Sequence, residues 1–392
     1  MAHPAPSPEQ ASIAWHWFTS VLVGALACLG VAATFVWMVD PFQQYRLASR
    51  YPPRFYSLHH RYINPGLAKN QVYDTVVSGS SIMENTRNDF VGRVCGGSAV
   101  NLSMPAMSAS EQRLMLDTAL DNRRVRRVLM VLDFNAFAGA PEDRQEVAGP
   151  LPTYLYDRNP LNNLPYLWSW DVLRKSWRII AGDRSERYTS DPNAPWFWAS
   201  VKRFGRGEVL RGLDVENLNA RFQQPARSVA GMRASFDHNL LPLLQAHPGT
   251  EFDIVWPPYS ILVWLDFARR DQLRLTLDFK RYVFDATRGL PNVRLIDLQS
   301  ERAVTHDLDL YTDMYHFAPS INEWLVESTC LGRNRVDAAS LGTFESQLRN
   351  QVAVVSTPVG LAGLLGRSAA TCEGAATRAI GSASPTGCAA AP

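Results

Sequence analysis

Short apolar runs alternate along the chain with stretches of helical spacing, and this alternation predicts a fold. "DTVVSGSS" reads as a short buried strand entering a turn, and "SAVNLSM" as a second. "VRRVLMVLDF" reads as a third, apolar on both sides towards its end, as central parallel strands are. Between the last two, Ala109 to Arg123 has a polar start and helical spacing at Leu114, Leu116 and Leu120. The pattern returns in "TEFDIVWPPYS" and "NVRLIDLQ", separated by a segment that predicts one or two amphipathic helices. Strands that alternate with helices imply an α/β fold, a three-layer sandwich around a central parallel sheet. Sites in such sheets lie beyond the carboxyl ends of the strands.

Three segments depart from that rhythm. Trp17 to Val39 carries no charge, and as a helix of 1.5 Å rise per residue it reaches about 35 Å, enough to cross a bilayer. Trp17 and Trp37 stand near its ends as interfacial anchors. A cleaved signal peptide would need a basic n-region and a shorter apolar run, and the lipoprotein-like Ala25-Leu26-Ala27-Cys28 lacks the same basic start. The expected organisation is therefore an N-terminal segment (1–16), an uncleaved single-pass anchor (17–39), a connector (40–70) and an α/β domain (71–350). The second departure is an insertion, 139–218, dense in aromatics that include Trp168, Trp170 and Trp198. At a strand's carboxyl end it is placed to act as a lid or substrate platform, or its rings form a small core of their own. The third is the tail, 351–392, where few large residues and much Ala, Gly, Ser and Thr predict disorder.

Composition narrows the partners. The chain has 392 residues, 46% of them hydrophobic, so it builds a full core. A formal net charge of +2 with scattered arginines excludes a basic stripe for nucleic acid. No Lys or Arg precedes the span while Arg46, Arg50, Arg54 and Arg61 follow it, so charge counting alone would keep the domain in the cytoplasm. Four cysteines lie beyond the span, Cys95, Cys330, Cys372 and Cys388. They permit two disulfides in an oxidising compartment, with Cys372 and Cys388 closing a short loop, or they are buried free thiols. None has zinc-site spacing, and no metal or cofactor is expected.

The candidate chemistry starts at "VVSGSSIMEN". A serine at a strand-to-helix turn is held on rigid backbone, with amides nearby to receive negative charge. Ser81 occupies that place, although the sequence is not the GxSxG elbow, because Met83 stands two residues on. A serine nucleophile needs a base. "YTDMYHFAP" supplies one: His316 to take the proton and Asp313, three residues earlier, to orient the ring. The other histidines offer less. His238, His247 and His306 lack an Asp at that spacing, His3 and His16 lie at or before the span, His59 and His60 lie in the connector, and no HExxH occurs.

Gly-x-Ser near the first strand, an Asn-containing turn after the second, an Asn after the third and a late Asp-x-x-His together resemble the SGNH (GDSL-like) hydrolase superfamily. The anchor, the "DPF" connector and the "GSS" serine resemble its membrane-tethered branch, the proteins of alginate O-acetylation and teichoic-acid D-alanylation. The resemblance implies a catalytic triad of Ser81, Asp313 and His316, and an oxyanion hole from the amides of Ser81 and Ala106 with the Asn135 side chain. It leaves Ala106 where the family carries glycine, Ser80 where it carries the Asp of GDS, and Asp133-Phe134-Asn135-Ala136 in place of GxND. Ser80, Asn101, Trp168, Trp170, Trp256 and Tyr259 are expected to line the substrate. It further implies an inner-membrane protein with a periplasmic domain, a cell-envelope polysaccharide as substrate, and a membrane-bound partner that passes acyl groups. A catalytically silent polysaccharide-binding or assembly protein of the same fold is the alternative.

Overall fold

The computed structural model describes residues 7–145, 149–214, 219–220 and 228–366. It opens on a single long helix, α1, Pro8–Val39, started by a capping box in which Ser7 and Gln10 satisfy each other's amides. At 32 residues it is about 48 Å long, longer than the predicted span and apolar enough to cross a membrane. Its C-terminal turn belongs to the folded domain, since Val36 is fully buried in the main core.

The connector is not a loose tether, contrary to its turn-rich sequence. It contains the helix α2, His60–Asn70, and a two-residue strand, Phe55–Tyr56, that pairs with Tyr188–Thr189 of the insertion. Its first residue, Asp40, adopts a left-handed conformation at the end of α1 and is buried. The Asp40 carboxylate accepts the amides of Gln44 (2.9 Å), Tyr45 (2.8 Å) and Arg46 (3.0 Å) and the Tyr166 hydroxyl (2.9 Å). The same hydroxyl accepts the Phe42 amide at 3.1 Å, so α1, the connector and the insertion share one buried polar hub.

Five parallel strands follow: β1 Thr75–Ser78, β2 Ala99–Asn101, β3 Arg127–Val131, β4 Glu251–Trp256 and β5 Val293–Asp297. They run in the order β2-β1-β3-β4-β5, with Val76 opposite Val100 and Val128, and Ile254 opposite Met130 and Leu295. Every residue of β1, β2 and β3 is buried, so both faces are covered, as continuous apolar runs require. The crossovers carry α3, Asn88–Cys95, and α4, Ala109–Asn122, whose Ser108–Glu111 capping box starts it. Glu111 also receives the Arg61 guanidinium at 2.8 and 2.9 Å, tying α2 to α4. The insertion contributes α5, Leu164–Leu167, and α6, Trp170–Ile180. The segment between β4 and β5 forms two helices, Ile261–Arg269 and Gln272–Thr287. A later helix, α7, Pro319–Cys330, returns to α3 through a Cys95–Cys330 disulfide.

The tail is ordered further than its composition suggests. Leu341–Val355 and Pro358–Leu365 are helices, and Leu348, Val352, Val355, Ala362 and Leu365 are buried. Apolar spacing, rather than bulk, docks them. Residues 367–392, with Cys372 and Cys388, lie outside the described residues, as do residues 1–6 and 215–218.

The Asp40 hub makes a quantitative expectation. Tyr166→Phe removes one donor to the carboxylate and one acceptor from the Phe42 amide in a buried setting, which costs about 1–3 kcal/mol. Urea unfolding of the detergent-solubilised chain measures it.

Candidate active site

Strand order reverses on either side of β1, because the chain moves from β1 outward to β2 and then back across to β3. Such a reversal leaves a crevice at the carboxyl ends of the strands. The turn after β1 enters it with Ser80 and Ser81, the latter opening a 3-10 turn, Ser81–Met83. Side-chain amides from elsewhere hold that turn. Asn101, at the end of β2, donates to the carbonyls of Met83 (2.8 Å) and Thr86 (3.0 Å). Asn322, on α7, donates to the Ile82 carbonyl at 2.7 Å. Trp198, from the insertion, donates its indole N–H to the Ser81 carbonyl at 2.9 Å. Asn101 is thus fully buried and braces the turn; it does not line the substrate as expected.

The second half of the site is the loop after β5. Tyr311 and Phe317 form an isolated antiparallel bridge, which closes the segment between them into a tight loop. "WPPYS" clamps it: Ser260 donates its hydroxyl to the Met314 carbonyl at 2.8 Å, and the Pro258 carbonyl accepts the Tyr311 hydroxyl at 2.7 Å. Within the loop, Asp313 accepts the amides of Tyr315 and His316, both at 2.8 Å, and the His316 Nδ1 proton at 2.8 Å. Nε2 is then the acceptor for the Ser81 hydroxyl, 2.7 Å away. Burial pushes the Asp313 carboxyl up, but the hydrogen bonds and charge of His316 and the two amides outweigh it and hold the group below its ordinary 3.8. The ring is further fixed by Trp198, edge-on to His316 at 5.5 Å between centroids, with Phe204 stacked behind it.

A cleft of about 260 Å³ opens over this pair, lined among others by Ser80, Ser81, Ala106, Asp133, Asn135 and His316. Ala106 has φ of 49°, the left-handed region in which a side chain is disfavoured. Its conformation is therefore one that glycine adopts freely, and the methyl group is carried at a cost. Asp133 takes the Ser80 hydroxyl at 3.0 Å on one oxygen and the Asn135 backbone amide at 3.0 Å on the other, which links the turns after β1 and β3. Among the described residues, neither the Ser81 nor the Ala106 amide has an acceptor. These two donors and Asn135, the groups expected to receive an oxyanion, line one cleft.

Other expected lining residues lie elsewhere. Trp256 is fully buried in β4 with the Lys280 ammonium 4.8 Å above its ring, and Tyr259 is buried against Phe134 and Tyr315. Trp168 and Trp170 stand beside α1, where the Trp168 indole N–H approaches the Leu29 carbonyl at 3.4 Å. Aromatic density in the sequence says nothing of direction. Trp198, in the same aromatic run, is the ring that packs on His316 and holds the Ser81 carbonyl, and no spacing in the sequence separates it from its neighbours. Asn322 likewise carries no local signal. Beneath the turn, His60 and Glu84 approach to 3.2 Å in full burial. Burial, with the nearby Arg61 and His59, pushes the imidazole down to about 3, and burial raises the carboxyl, so burial disfavours the charged form of both.

No family model matches the chain, and no curated protein matches it significantly. Among solved structures it is similar to one described as "a putative platelet activating factor from Streptococcus pneumonia", with a TM-score of 0.37 and 10% identity, covering 70% of this chain and 91% of that one. At so low a score the likeness carries no argument about chemistry, which rests on the geometry of the site itself.

The backbone at Ala106 makes the second expectation. Ala106→Val places a β-branched side chain at positive φ and costs about 1–3 kcal/mol, whereas Ala106→Gly relieves the strain and stays within about 1 kcal/mol of the parent. Urea unfolding of both variants distinguishes them.

Proposed function

We propose that this chain is a membrane-anchored serine esterase or O-acyltransferase of the SGNH type, acting on an acyl ester of a cell-envelope polysaccharide. The observation that carries the reading is the Ser81–His316–Asp313 relay, with hydrogen bonds of 2.7 and 2.8 Å, at the mouth of a cleft. The strand order and the two covered faces of the sheet support the three-layer sandwich of that superfamily. The left-handed Ala106 supports its place in the oxyanion hole, because a residue there turns its amide as the usual glycine does.

In the proposed mechanism Ser81 Oγ attacks the ester carbonyl as its proton passes to His316 Nε2, and Asp313 stabilises the imidazolium that forms. The amides of Ser81 and Ala106 and the Asn135 side chain hold the tetrahedral oxyanion. Collapse breaks the ester bond, and His316 returns the proton to the departing alkoxide, leaving an acyl-serine. Water or a sugar hydroxyl, deprotonated by the same ring, then takes the acyl group and restores Ser81. Trp198, backed by Phe204, fixes the His316 ring from the insertion side. A membrane-bound transfer protein is the proposed source of acyl groups in the O-acyltransferase case.

Two observations support a retained anchor and a domain outside the cytoplasm. The end of α1 is part of the core: Val36 and the Asp40 hub join the helix to the domain without a flexible linker. The Cys95–Cys330 disulfide joins α3 to α7, and such bonds persist in oxidising compartments. This outweighs the bias of basic residues after the span, because long domains translocate despite it.

Ser81→Ala is expected to abolish labelling by a serine-directed fluorophosphonate and to cut turnover of p-nitrophenyl acetate by about 10³-fold or more. Undiminished labelling of that variant would remove Ser81 from the mechanism. For the compartment, cells expressing a chain with Cys28, Cys372 and Cys388 replaced by Ser are lysed in denaturant with a maleimide-polyethylene glycol. No mass shift is expected unless reductant is added first. A shift without reductant would show the pair reduced, and the domain on the cytoplasmic side.

A further inference from the structure

The insertion has a face that the proposed chemistry does not use. On α6, Val172, Lys175, Ser176 and Ile179 turn inward and are buried, while Trp170 (74% exposed), Trp177 (66%) and Ile180 (62%) turn outward. Just before the helix, Leu161, Leu164 and Trp168 are exposed as well. A run of large apolar side chains with two tryptophans on one face of a short amphipathic helix is the pattern of a segment lying in a membrane interface.

Its position beside α1 says what covers it. The outward face of α6 and the Cys28, Val31 and Phe35 side of α1 form the two walls of one apolar cleft of about 760 Å³. The Trp168 indole N–H lies 3.4 Å from the Leu29 carbonyl, so the insertion meets α1 about 15 Å below its end at Val39. A hydrocarbon core about 30 Å thick takes only about 20 of the 32 residues of α1. With the polar first turn (Glu9, Gln10) left outside, the remaining length places α6 level with the upper part of the span, at the depth of about 5–10 Å that interfacial helices reach. Arg46 stacks over the Trp37 ring at 4.1 Å and marks the head-group level above it. Arg174, on the cleft wall, is paired with Asp171 at 2.7 Å, which offsets its charge beside the apolar face.

We propose that the Leu161–Ile180 segment is a second membrane contact, inserted in the same leaflet from which α1 emerges, and that phospholipid acyl chains fill the cleft between α6 and α1. The domain is thereby held at two points rather than swivelling on one helix. This rests on the reading of α1 as a retained membrane helix, and the experiment separates the two.

The full chain, with Cys28→Ala, Cys372→Ser and Cys388→Ser, is reconstituted in vesicles of phosphatidylethanolamine and phosphatidylglycerol. Nitroxides are attached through Trp170→Cys, Trp177→Cys or Ile180→Cys, with Val23→Cys on α1 and the exposed Arg187→Cys as references. Collision with oxygen, which concentrates in lipid, is compared with collision with a water-soluble nickel chelate. The expected result is an oxygen-to-nickel ratio several-fold higher at 170, 177 and 180 than at 187, with 23 deeper still. High nickel collision at the three α6 positions with 23 still deep would overturn the second contact and leave the anchor. Low collision with both reagents would also overturn it, since a protein surface would then occupy the cleft. A water-accessible 23 would remove the anchor and the contact together.

Discussion

A hydrogen bond between Ser81 and His316 joins segments 235 residues apart, and the arrangement of the rest of the molecule can be understood as what makes it 2.7 Å long. Parallel strands deliver their carboxyl ends to one edge, so the segments after β1, β2, β3 and β5 converge there. Each loop is then immobilised by groups that are not in the cleft. Asn101, Asn322 and Trp198 take the carbonyls of the serine turn, and Ser260 and Pro258 hold the loop that carries Asp313 and His316. A relay of three side chains needs such bracing because an ångström of slack removes proton transfer from reach.

The insertion serves both ends of the molecule. One of its rings, Trp198, closes the site, and Tyr166 closes the hub where α1 enters the domain. Asp40 is the pivot of that hub: four donors converge on one buried carboxylate, which orients the domain against the helix that precedes it. Under the proposed membrane contact, the outward rings of α6 beside α1 would make the mount stiff and let the fold set the height of the cleft above the bilayer.

Much of this architecture was legible before any coordinates. The five strands were marked by apolar runs because a sheet covered on both faces leaves no polar alternation, and helical spacing marked α4 and the helices between β4 and β5. The Asp-x-x-His spacing picks out an Asp–His pair because both sit on one short turn, where sequence separation and distance coincide. Legibility stopped where contacts are remote. Trp198, which packs on His316, and the turn-holding Asn322 have unremarkable neighbours, and Asn101, Trp256 and Tyr259 turn inward because a residue after a strand can point into the crevice or back into the core.

The sequence by itself determined the membrane-length helix, the parallel α/β sheet and the residue types of the relay, since each depends on composition or on spacing within a few residues. Tertiary structure alone decided that the serine and histidine meet, that Ala106 takes the left-handed turn of a glycine, and that the tryptophans of one insertion divide between His316 and α1. The reason is physical: periodicity records which side of an element is dry, but the direction in which a side chain points across a domain is set by packing among segments that the chain brings together only on folding.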